Sequence, residues 1–167
     1  MTAVWRDPVS PEDPCHAWIR SCPALDSKKY LTYTCDVDEV VLNYGQRRAG
    51  RVDRSVQRQI AIEFKAHNSS PDTQQLENLS ILDYYLRLPG HPIEICVQGR
   101  SRWVLNHGVH VLRMSGDRPD RSDWLTWSSV SGGRLTRERF ITLDQCVALL
   151  RGELHPDTLE PLDQWTM

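Results

Sequence analysis

A helix signal set between two β-patterned runs is the feature that most restricts what this chain can fold into. Ser70-Pro71-Asp72 reads as a helix start. Ser70 suits the N-cap, Pro71 the first helical position, and Asp72 the first turn, where the helix dipole favours negative charge. Leu76, Leu79, Leu82 and Leu86 follow at helical spacing with Tyr85 beside them, and Pro89-Gly90 ends the segment. On one side, Gln59 to His67 reads as a strand. On the other, Pro92 to Gln98 alternates Ile93, Ile95 and Val97. A helix of this length between two strands is a crossover, so these two strands are expected to lie parallel.

Upstream, Lys29 to Tyr44 is rich in β-formers (Tyr30, Tyr33, Val37, Val40, Val41, Leu42) and is expected as one strand. Gly45 to Arg58 reads as a connection, which makes the first two strands an antiparallel hairpin. Downstream, Trp103 to Met114 is expected as one or two strands with Gly108 near a turn, and Ser115 to Ser122 as a polar loop. Trp124 to Val130 is a further extended piece ended by Ser131-Gly132-Gly133, and Leu143 to Leu150 a helix closed by Gly152. Cys15 to Cys22 allows one or two helical turns before Pro23. The expected fold class is α/β, with a mixed four- to five-stranded sheet flanked by helices.

With 40% hydrophobic and 25% charged residues over 167 positions, the balance is that of one globular domain able to bury its own core. No apolar run approaches the length of a membrane span, and Met1 to Arg20 has no apolar stretch of the signal-peptide kind. A cytoplasmic protein with no membrane partner is expected. The five cysteines are irregularly spaced, without a CxxC pair, which argues against a disulfide framework. Cys35, Cys96 and Cys146 have apolar neighbours and are expected to be buried. Cys15, His16 and Cys22 lack the second pair that a structural zinc needs. His107 and His110 are read as structural or exposed, and Trp103, Trp124 and Trp127 as core.

The net charge of −2 excludes a uniformly basic nucleic-acid binder, but Gln46 to Arg58 holds five arginines against Asp53 alone. Arg47, Arg48, Arg51 and Arg54 are candidate phosphate contacts. Residues two apart on a strand share a face, so Asp36 pairs with Asp38 and Glu63 with Lys65. Carboxylates inside an apolar strand are costly to desolvate and need a partner, for which a divalent cation is one solution. Carboxylates, a hard cation such as Mg²⁺ or Mn²⁺ and an ammonium are the parts that phosphodiester hydrolysis requires.

An acid on one strand, Glu63-Phe64-Lys65 on the next, a helix bearing Gln74 and Gln75, and a further strand together resemble the PD-(D/E)xK nuclease superfamily, with its restriction-endonuclease-like fold. Thr34 to Val40 and Ile62 to His67 are similar to small phage and bacterial members. The resemblance implies a single nuclease-like domain over 1–167, its core about 30–98 and its C-terminal strands and helix over 103–152. It implies a metal-dependent endo- or exonuclease that acts on DNA in preference to RNA and leaves a 5′-phosphate. Asp38, with Asp36 as its rival, and Glu63 would hold Mg²⁺ or Mn²⁺ with the Phe64 carbonyl. Lys65 would activate water, Gln74 or Gln75 would support the site, and His67 would touch phosphate. A homodimer is among the partners implied, and a bacterial or phage-infected cytoplasm the setting. The chain departs from the pattern in lacking the literal Pro-Asp dipeptide and a clear glutamate on a first helix. Two other classes fit the same residues: a non-catalytic nucleic-acid-binding accessory protein on this fold, and a protein-interaction module of the immunity or anti-defence type.

Overall fold

In the computed structural model, which describes residues 14–23, 32–35, 40–48, 51–88 and 93–162, the β-rich first half is a meander. β1 (Thr32–Cys35), β2 (Val40–Arg48) and β3 (Arg51–Lys65) pair antiparallel in turn. The expected hairpin is therefore present, but two details differ. Thr32–Cys35 pairs antiparallel with the start of β2, Cys35 against Val40, so the run expected as one strand is two. Arg48 pairs with Arg51, so the described part of the arginine-rich stretch is strand and not a loop connection. Pairing gives each backbone N–H and C=O a partner that a long loop would leave to water, and hairpin connections are accordingly short.

α2 (Thr73–Arg87) is the expected helix, capped two residues later than the sequence suggests. Asp72, not Ser70, is the N-cap. Its Oδ1 accepts the Gln75 N–H at 2.7 Å, and Gln75 Oε1 accepts the Asp72 N–H at 3.3 Å. A glutamine three places after the aspartate closes this reciprocal box, and no such partner follows Ser70 in register. Pro71 is buried just ahead of the helix.

The crossover is real, but its parallel partner is a different strand. β4 (Ile93–Val97) turns through Gln98-Gly99, both at positive φ, into β5 (Arg100–Met114) and pairs with it antiparallel. β5, at 15 residues against five for β4, takes the inner place parallel to β3. A two-residue turn can only join antiparallel neighbours, and the Gly99 signal for it was legible. β6 (Leu125–Ser131) pairs with the second half of β5, and β7 (Arg134–Leu135) and β8 (Arg139–Ile141) pair with β6. The result is one mixed sheet of eight strands among the described residues, in the order β1-β2-β3-β5-β6-β7 with β4 and β8 off that path. It is larger than the predicted four or five because the late segments join the same sheet.

Helices cover both faces. α1 (Pro14–Ser21) and α3 (Leu143–Leu150, capped by Thr142 and Gln145) lie over one of them. There Trp18, Ile60, Ile62, Leu112, Trp127 and Leu149 form the larger core. On the opposite face Ala61, Val109, Val111 and Val130 pack with Leu79 and Leu86 of α2. Trp127 and Cys146 are buried as expected, whereas Cys96 is exposed, since its short strand is covered less than the apolar neighbours implied. No described helix is long and apolar enough to cross a membrane.

Candidate active site

Alternation along β3 sorts its side chains. Ile60, Ile62 and Phe64 face the larger core, and Ala61 faces α2. Glu63 and Lys65 share the Ala61 side by strand period. They sit near the C-terminal end of β3, where Glu63 pairs with Val111 and Lys65 with Arg113 of the parallel β5. Lys65 Nζ lies 2.6 Å from Glu63 Oε1, and the two side chains are 13% and 23% exposed. That exposure separates the pair from an ordinary surface bridge: both charges are largely withdrawn from water, yet both can still be reached. The loop ends of parallel strands are where open α/β sheets place ligands.

The segment beyond Lys65 is held tightly. His67 and Asn68 both adopt positive φ, and their N–H groups donate to the Gly116 and Met114 carbonyls at 3.1 Å. Arg113 donates to the Ser69 carbonyl at 2.9 Å and to that of Asn68 at 3.3 Å, and it is ion-paired with Glu138. Arg113 was not singled out from sequence, because a lone arginine in a β pattern carries no signal of the loop it will clamp. His67 is exposed at this corner.

The remaining predicted residues fare unequally. Asp36 and Asp38 lie outside the described residues. Gln74 is exposed, and Gln75 is engaged in the α2 cap. Phe64 turns its ring to the opposite core, so any part it takes at a metal falls to its carbonyl. Arg47, Arg48, Arg51 and Arg54 are placed by their backbone in the distal half of the β2–β3 hairpin, away from the Lys65 end. Arg58 leaves the surface set: it is 5% exposed, its Nη1 donates to the Gly152 carbonyl, and burial lowers its pKa to about 10.

A second polar cluster was not foreseen. Asp83, 7% exposed, sits on the apolar side of α2 between Leu79 and Leu86. Its Oδ1 accepts the Val109 N–H at 2.7 Å and Arg87 Nε at 2.9 Å. Arg87 also donates to the His107 carbonyl and lies 3.6 Å from Asp157. Burial works against the Arg87 charge, but Asp83 and Asp157 hold its pKa above the ordinary value. Ser129 Oγ donates to Asp157 at 2.7 Å and lies 3.1 Å from His110 Nδ1. Burial would raise the Asp157 carboxyl, but the Ser129 hydroxyl, His110 and Arg87 together bring it below the usual range. The order is wrong for a nucleophilic triad, since the serine lies between acid and base and no carboxylate orients the imidazole. The sequence hint was Asp83 itself, a charge on the leucine face with Arg87 one turn on.

Among the described residues no group of three or more His, Cys, Asp or Glu side chains is placed to hold a metal ion. No protein-family model, curated protein or solved structure matches this chain.

Proposed function

We propose that this chain is a divalent-metal-dependent nuclease with a restriction-endonuclease-like core, acting on DNA. The observation that carries the reading is the half-buried Glu63–Lys65 pair on an inner strand, at the end of β3 that leads into a crossover helix. By donor chemistry Glu63 and the Phe64 carbonyl suit a hard cation, and they supply only part of a ligand set. Asp38, or Asp36 in its stead, would complete it, with Mg²⁺ or Mn²⁺ as the ion.

The bound ion would polarise the phosphoryl oxygen and acidify a water. The protein's share is positional. Glu63 would orient its carboxylate from a rigid strand. Lys65 Nζ, held by Glu63, would direct a water and offset charge growing on phosphorus. Gln74 would be the free glutamine at the helix start, and His67 would stand at the corner nearest an incoming phosphate.

A second reading has one observation in its favour. Glu63 and Lys65 already satisfy each other as an ion pair, which is what a non-catalytic nucleic-acid-binding protein on this fold would retain. Calorimetric titration with Mn²⁺ and cleavage assays on single-stranded, double-stranded and branched DNA separate the two. The nuclease binds Mn²⁺, and Glu63→Gln abolishes both binding and cleavage. Lys65→Ala keeps the metal but slows cleavage by about a hundredfold or more. If Mn²⁺ binds no tighter to the parent chain than to Glu63→Gln, and all three DNA forms stay intact, the non-catalytic reading replaces it.

A further inference from the structure

The β2–β3 hairpin continues past the sheet that supports it. Among the described residues β1 pairs with β2 only over Val40–Asn43, and β5 pairs with β3 only from Val56 onward. Positions 44–48 and 51–55 are therefore a two-stranded ribbon that has, among the described residues, no third strand beside it. In a chain of net charge −2, Arg47, Arg48, Arg51 and Arg54 fall within this ribbon against Asp53 alone. The partner it fits is a polyanion.

The form of the ribbon narrows the polyanion further. Paired strands about 4.8 Å apart, with their side chains, fit the B-DNA major groove of about 12 Å. The A-form RNA major groove is too deep and narrow to receive them. Readers of single strands supply several aromatic platforms for bases, and the ribbon holds a single aromatic residue, Tyr44 at its base. At about 3.3 Å per strand residue, Arg54 lies roughly 30 Å along β3 from Glu63. That is close to one turn of B-form duplex, about 34 Å.

We propose that the β2–β3 ribbon is a duplex-DNA arm that enters the major groove about one helical turn from the Glu63–Lys65 pair. The groove contact stands on the ribbon alone, and the one-turn spacing to a scissile phosphate rests on the nuclease reading. The arm gives a first anchoring point, so tight binding requires a duplex long enough to reach it, and very short duplexes lose it.

Fluorescence anisotropy on the full chain tests this, with chelator present, across a series of salt concentrations. The probes are labelled DNA duplexes of about 8 and about 24 base pairs, together with a single strand and an RNA duplex of the longer length. The longer DNA duplex should bind at least about tenfold tighter than the other three. Arg51→Gln with Arg54→Gln should weaken that binding about tenfold and flatten the salt slope by about two. Arg51→Lys with Arg54→Lys should keep the slope, which shows that charge and not folding is read. Equal binding of single strand and duplex, or a glutamine variant that binds like the parent, overturns the arm. Cleavage with Mn²⁺ is followed in parallel. Ribbon-dependent duplex binding without any cleavage by the parent chain removes the nuclease reading and leaves the arm. Glu63-dependent cleavage that the glutamine variant leaves untouched removes the arm and leaves the nuclease.

Discussion

At Gly108 the backbone has φ +75°, and a Cβ added there would fall 2.2 Å from Asp83 Oδ1 and 2.3 Å from Arg87 Nε. This glycine lets β5 shift its register against β3 between Gln59 and Ala61 and brings the Val109 N–H onto the buried carboxylate. Gly108→Ala should therefore destabilise the fold by at least about 2 kcal/mol in urea unfolding, from strain and the lost contact together. The neighbouring histidines give the molecule an acid limit. Burial, with Arg58 and His155 close by, pushes His107 down to about 3, and burial pushes His110 down to about 4. In the unfolded chain both titrate near about 6.5, so the unfolded state binds more protons in mild acid. The stability they contribute is complete above about pH 6.5 and is lost as the pH falls. The unfolding free energy from urea titrations should drop by about 2 kcal/mol per histidine between pH about 7 and about 5. A flat profile over that window would contradict the buried neutral imidazoles.

Helix starts are the elements whose chemistry the sequence states most openly, and α2 shows how a near miss arises. Ser70, Pro71 and Asp72 all suit a helix start, and the choice among them depends on which residue finds Gln75 at the right place. Asp72→Ala should cost about 1 kcal/mol, and Thr142→Ala at the start of α3 about the same. Ser70→Ala should change the unfolding free energy in urea by less than about 0.5 kcal/mol. A larger effect from Ser70 would place the cap where the sequence alone put it. The strands were harder to read. Ile93, Ile95 and Val97 announced β4, but alternation describes one strand and says nothing of its neighbour. The parallel partner of β3 had to be the strand that reaches furthest beside it, and β5 is that strand.

Across the whole molecule one sheet serves two cores, and β3, β5 and β6 contribute to both. Neither face can loosen without removing support from the other, so unfolding should be a single transition. Leu149→Ala on the α3 side and Val111→Ala on the α2 side should each lower the stability read from the same transition, by about 2–4 kcal/mol and about 1–3 kcal/mol. Tryptophan fluorescence, which senses Trp127 in the larger core, should coincide with far-ultraviolet circular dichroism in both variants. Separate transitions would show that the faces fold independently. Charge is also arranged at this scale. The arginines gathered at one end of the hairpin and the Glu63–Lys65 pair toward the other end of β3 are joined by one continuous strand, whose length sets the spacing that a bound duplex would have to match.

The α/β class, the hairpin, the crossover helix, the late helix and the Glu63–Lys65 pairing were all determined by the sequence itself. Each depends on local period, capping or turn chemistry, which act over a few residues. Tertiary structure alone decided three things: that β5 lies beside β3, that Arg58 is buried while the other arginines stay in the ribbon, and that Asp83 is drawn into a polar cluster with Arg87, Ser129, His110 and Asp157. These depend on which distant segments compete for the same edge or the same buried volume, and no local pattern records the outcome of that competition.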